Sequence, residues 1–128
     1  MKKYQINGFS LIEVLAAVAI IGIITFLALP NIVTLKQDAE VDLAIARAEA
    51  VNMAIAAYVQ ANGQATATAN WAAASADDRW TMVSPFLAFA PSTLSAFMPT
   101  NYTLTMPATV NPLTKARLQD PNSADIDY

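Results

Sequence analysis

The sequence predicts an α+β chain. A long N-terminal helix, with a transmembrane half, a kink at Pro30 and an amphipathic half, is followed by a small C-terminal head. The head is expected to hold a short helix and a few antiparallel strands. Three observations carry this. Residues Phe9 to Leu29 are almost wholly apolar, residues Asn31 to Asn62 are rich in alanine without Pro or Gly, and composition changes at Gly63. The expected boundaries are a leader at 1–8, a transmembrane and assembly segment at 9–29, an amphipathic segment at 30–63 and the head at 64–128.

The first element is the apolar run. Its 21 residues hold one charge, Glu13, and thirteen are Leu, Ile, Val or Phe. As a helix at ~1.5 Å per residue it spans about 31 Å, the thickness of a bilayer's hydrocarbon core. Its large apolar residues contribute roughly −4 to −8 kcal/mol to insertion. A carboxylate costs about 3 kcal/mol at the centre and less near an end, where Glu13 sits. Insertion therefore wins. Lys2 and Lys3 precede the run and the next basic residue is Lys36. The positive-inside rule then puts the N-terminus in the cytoplasm and the head outside. A cleaved secretory signal would be shorter and end in small residues, unlike Phe26-Leu27-Ala28-Leu29-Pro30. A plain membrane anchor fits the length but gives Glu13 no purpose.

The residues around the start of the run carry a resemblance. Lys2-Lys3-Tyr4-Gln5-Ile6-Asn7-Gly8 followed by Phe9-Ser10-Leu11-Ile12-Glu13 resembles the class III signal of type IV pilins and type II secretion pseudopilins. The resemblance covers about residues 1–60. It implies cleavage after Gly8 by a prepilin peptidase and N-methylation of the new first residue, Phe9. It also implies that Glu13 pairs with the Phe9 amine of a neighbouring subunit. An unpaired carboxylate in a fibre interior is strongly disfavoured, so such pairing would set the axial register. The competing reading pairs Glu13 with its own chain's amine and with the helix dipole. Gly22 and Pro30 match the family's helix-loosening and kinking positions, and the segment between them is expected to unwind on assembly. Gly22 has a second reading as a site of close helix packing in the membrane.

Beyond Pro30 the helix is expected to continue. Leu35, Ala39, Leu43, Ala46, Ala50, Met53 and Ala57 follow helical spacing and form one stripe, which Val41, Ala48, Val51, Ile55 and Tyr58 widen. Asn62-Gly63 is a natural stop. In the head, Gln64 to Asn70 alternates Ala and Thr and reads as a loop or frayed strand. Ser75-Ala76-Asp77-Asp78 reads as a capped helix start, because adjacent helical residues point about 100° apart and do not make a catalytic acid pair. Ser84-Pro85 is expected to restart a helix carrying Phe86, Leu87 and Phe89. Tyr102 to Met106 alternates as a strand, and Leu113 to Leu118 suits a return strand with Lys115 and Arg117 on its outer face.

The tail offers clustered oxygens of the kind hard cations take. Ala124-Asp125-Ile126 is similar to part of the acidic loop in which major pseudopilins hold calcium. On that resemblance Asp120, Asp125 and Asp127 are calcium candidates. The sharp-turn glycine is absent, and a disordered acidic end is the competing reading.

The chain has no Cys and no His, which removes thiolate chemistry, zinc–thiolate sites and the commonest general base. No nucleophile, base and orienter set is visible, so the sequence points away from an enzyme. Removing Lys2 and Lys3 from seven basic residues leaves five against ten acidic, a net −5. That argues against nucleic-acid capture by charge. The expected function is a structural subunit of a type IV pilus or a type II secretion pseudopilus. Its alternative is a minor tip subunit whose head binds a secreted substrate, a surface or DNA. The implied partners are the peptidase, like or related pilin subunits in a helical fibre, an inner-membrane assembly platform and membrane lipid. The implied location is the bacterial inner membrane in a single pass, and then the fibre.

Overall fold

The computed structural model describes residues 8–128. The predicted leader at 1–8 therefore lies, apart from Gly8, outside the described residues. The first helix, α1 (Leu11–Asn62), takes in both the apolar run and the alanine-rich stretch and carries Pro30 within it. The chain divides into two compact units, one ending at Asp38 and the other running from Ala39 to Tyr128.

In the first unit the large apolar side chains from Leu11 to Leu35 are all exposed. Two hydroxyls turn back onto the helix: Thr25 Oγ1 donates to the Ile21 carbonyl at 2.8 Å and Thr34 Oγ1 to the Pro30 carbonyl at 3.0 Å. Such back-bonding hides a polar group in an apolar segment. Among the described residues α1 is the helix whose length and composition suffice to cross a membrane.

The second unit is built on the C-terminal part of α1. After Gly63 come α2 (Gln64–Ala73), α3 (Ala76–Val83), a single 3₁₀ turn over Ser84–Phe86 and the one-turn α4 (Leu94–Phe97). Three short strands follow, β1 (Thr103–Thr105), β2 (Arg117–Gln119) and β3 (Asp125–Ile126). They form an antiparallel sheet in the order β1-β2-β3, with Leu104 opposite Leu118 and Leu118 opposite Ile126. The α+β expectation is met.

The core gathers one face of α1, namely Ala44, Ala48, Val51, Ile55 and Tyr58, against Trp71, Trp80, Val83, Leu104, Val110 and Leu118. Spacings of three and four put those α1 residues in one line. Ala44 and Ala48 are wholly buried, and their small side chains let the head approach the helix closely. Trp71 fills the centre and donates its Nε1–H to the Pro107 carbonyl at 2.9 Å. A buried indole needs such a partner.

Several sequence expectations require correction. The leading stripe on α1 is not the face that packs. Leu35, Leu43 and Met53 are exposed, Met53 at 73%, while Ala48, Val51, Ile55 and Tyr58, taken as its margin, form the core line. Gln64 to Asn70 is neither loop nor strand but the first part of α2. Thr68 Oγ1 bonds back to the Gln64 carbonyl, and Ala67 and Trp71 bury the same face, so tertiary contact overrides the strand preference of threonine. Ser84-Pro85 starts only the 3₁₀ turn, and Phe89 adopts a left-handed conformation. The return strand is shifted towards the C-terminus, since Leu113 makes only an isolated bridge with Val110. The tail does not fray: β3 pairs with β2.

Other expectations hold. α1 stops at Asn62, and Gly63 takes φ +78°, a turn that only glycine makes without strain. Ser75 caps α3 with a reciprocal capping box: its hydroxyl accepts from Asp78 N–H while the Asp78 carboxylate accepts from Ser75 N–H. The Ser75 hydroxyl, donating to Asp78 Oδ2 at 2.7 Å, and then the Ser75 N–H hold the Asp78 carboxyl below its ordinary range. Tyr102, Leu104 and Met106 point inward and Thr103 and Thr105 outward, the alternation expected of this strand.

Candidate functional site

The candidate site is the start of α1, where Gly8, Phe9, Ser10 and Glu13 lie within six residues. The helix begins at Leu11, so Ser10 stands at its cap and Glu13 at the third helical position. Glu13 Oε2 accepts a hydrogen bond from Ser10 N–H at 2.7 Å. Glu13 N–H and Val14 N–H donate to the Ser10 carbonyl at 3.0 and 3.2 Å. One of the orphan donors at a helix start is thereby satisfied by the carboxylate, as in one half of a capping box. The signal was present as Ser10-Leu11-Ile12-Glu13, the S-x-x-E pattern, and the sequence reading overlooked it. A negative charge in the first turn also complements the helix dipole.

Phe9 is 90% exposed, and Phe9 and Glu13 line one shallow groove with Val14, Ala17 and Val18. The structure thus brings the expected cleavage position and the acidic residue onto one short stretch of surface. Among the described residues no heavy atom lies within 4 Å of where a Cβ would stand on Gly8 or on Gly22. Close packing within the chain therefore does not explain Gly22.

The tail residues do not converge. Asp120 Oδ1 accepts from the backbone N–H of Asn122 and of Ala124, at 2.9 and 2.8 Å, closing a tight turn. Asp125 Oδ1 takes Arg117 Nε at 2.7 Å, and that hydrogen bond lowers the Asp125 carboxyl and raises the Arg117 guanidinium. Among the described residues no group of three or more His, Cys, Asp or Glu stands where it could hold a metal ion. Lys115 lies over the Tyr128 ring and donates to the Tyr128 backbone oxygen.

Sequence reasoning also missed Asn52. From α1 its Oδ1 accepts from Ala116 N–H at 2.8 Å and its Nδ2 donates to the Tyr128 hydroxyl at 3.1 Å. Tyr128 OH in turn donates to the Ala116 carbonyl. Burial pushes the Tyr128 phenol up, and the Asn52 contact opposes it. The available hint was an Asn, a poor helix former, in the middle of the alanine-rich stretch from Ala44 to Ala57.

Taken together, an exposed apolar helix and a small α+β head fit a membrane-anchored structural subunit. Residues 4–29 match the family model described as the prokaryotic N-terminal methylation motif. The chain therefore carries the class III signal of type IV pilins and pseudopilins, which implies processing by a prepilin peptidase and pilin-like subunits in a fibre. No curated protein and no solved structure matches the chain.

Proposed function

We propose that this protein is a prepilin-like structural subunit, cleaved after Gly8, N-methylated on Phe9 and assembled into a type IV pilus or a type II secretion pseudopilus. The observation that carries this is the methylation motif running into a helix whose large apolar side chains are all exposed around one carboxylate. An apolar surface on every side of a helix needs lipid before assembly and other subunits after it.

Cleavage frees an α-amine on Phe9, four residues before Glu13. In the precursor the Glu13 carboxylate is held by Ser10 N–H, which keeps it at the helix start. Once Phe9 is the first residue, its ammonium and the carboxylate of an adjacent subunit carry opposite charges. Their pairing in an apolar fibre core replaces lost hydration and selects one axial offset. Gly22 and Pro30 supply the weak points between which the helix loosens: Gly lowers helix propensity and Pro withholds the N–H that the Phe26 carbonyl needs. The inner-membrane assembly platform and the lipid act on this same segment.

Intact-mass and N-terminal analysis of the subunit, purified from cells with the peptidase, tests the reading. The expected product begins at N-methylated Phe9. A bulky residue at Gly8 should leave the leader attached. A mature chain beginning anywhere else would sink the assignment.

A further inference from the structure

Phe89 is the most exposed large apolar residue described, at 103% of its reference area. It sits in a turn after the 3₁₀ segment with φ +56°, the left-handed region. That backbone is disfavoured for a residue with a Cβ. A fully exposed ring on a disfavoured backbone carries two costs at one residue, and such outliers point to function. Beside it stands a cation. Phe89 and Arg47 line one hollow with Phe97, and the Arg47 guanidinium lies 5.6 Å from the Phe97 ring centre.

Besides this knob, the same head carries an open, mostly apolar depression. Between the end of α2 and α3 lies a cleft of about 390 Å³ lined by Asn70, Ala73, Ala74, Asp78, Thr81 and Met82. Its surface is mostly apolar, and its charged member is a carboxylate. Opposite charges accompany the two features: Arg47 by the knob, Asp78 in the cleft.

We propose that Phe89 of one head seats in the α2–α3 cleft of a second copy of this chain, with Arg47 facing Asp78 across the contact. Knob and cleft are different surfaces of one molecule. Used head to tail without closing into a ring, such a contact generates an open helical array, whereas a reciprocal knob-in-cleft pair would stop at a two-fold dimer. Charge complementarity fixes its orientation. This deepens the proposed function and rests on it for the existence of a fibre, but it concerns the heads and not the Phe9–Glu13 pair.

The absence of cysteine makes the test direct. Ala88→Cys beside the knob and Ala73→Cys in the cleft are combined in the full-length protein, expressed in cells with the peptidase and cross-linked with a short thiol-reactive reagent. The expected result is a ladder of dimers, trimers and higher multimers, about tenfold or more above either single-cysteine chain. Adding Phe89→Gly should abolish the ladder, yet leave the melting temperature of the protein unchanged or higher, because glycine adopts φ +56° without strain. Sheared fibres that give no ladder would overturn the head contact and leave the fibre reading standing. A ladder without sheared fibres would support the contact and overturn the fibre reading. Dimers from Ala88→Cys alone would mean a symmetric Phe89 contact and overturn the proposal, as would a ladder undiminished by Phe89→Gly. Neither ladder nor fibres would overturn both.

Discussion

One substitution separates the observed role of Glu13 from the proposed one. Its carboxylate accepts the Ser10 N–H, and the proposed function pairs its charge with a neighbouring subunit's amine. Glu13→Gln keeps an acceptor for Ser10, since Glu and Gln both serve at this position of a cap, but removes the charge. Membrane insertion should be unchanged or better. If charge pairing sets the register, sheared fibre from the Gln variant falls to the level of Glu13→Val. Wild-type fibre yield from Gln, with loss only in Val, would assign Glu13 to capping instead. A second residue-scale outcome concerns acid. The Arg117 hydrogen bond lowers the folded-state pKa of Asp125. The contribution is therefore present above the unfolded value of about 3.9 and is lost as pH falls through the folded one. Both side chains are more than half exposed, so the contribution is small. Thermal melts at successive pH values should show Asp125→Asn differing from wild type near neutral pH and converging with it below about 3.9.

At the scale of the element, α1 changes role along its length. Up to Leu35 its large apolar side chains are exposed, and from Ala44 one line turns to the head. The contrast predicts opposite tolerance at two alanines of one helix. Ala48 is fully buried, and Ala48→Leu should overpack the core and cost about 1–3 kcal/mol. Ala46 faces outward, so Ala46→Leu should leave stability within about 0.5 kcal/mol. Denaturant melts of the two variants measure the difference. If Ala46→Leu were the more damaging, the packed face would be wrongly assigned. Periodicity alone did not separate these faces. Alanine, valine and leucine recur around much of the helix, so two stripes of similar spacing compete, and only the position of the two tryptophans decides between them.

Across the whole molecule the head is closed by contacts between distant parts of the chain. Asn52 reaches Ala116 and Tyr128, 64 and 76 residues away. Asn52→Ala leaves the N–H of buried Ala116 without its acceptor, at a cost of about 1–3 kcal/mol. For the 39–128 unit that corresponds to a fall in melting temperature of about 4–8 °C per kcal/mol. A fall under about 2 °C would mean that water replaces the amide without penalty.

The features legible in the sequence are local. A 21-residue, mostly apolar run with one acid, the Asn62-Gly63 stop, the Ser75 cap and the Tyr102–Met106 alternation each depend on neighbours within a few positions, and each appears in the structure where the residues place it. The motif at residues 4–29 is of the same kind. Tertiary structure alone decided which face of α1 is buried, why an Ala-Thr alternation became α2, and that the acidic tail pairs as β3. It also set Phe89 on a left-handed turn and brought Asn52 to Tyr128. The physical reason is common to all of them. A cap or a turn gains its energy from groups already adjacent in the chain. The choice between two helix faces, or between helix and strand for Gln64 to Asn70, is worth a few tenths of a kcal/mol locally. It is settled by burial of Trp71, Trp80 and Leu118, whose positions the local pattern does not encode.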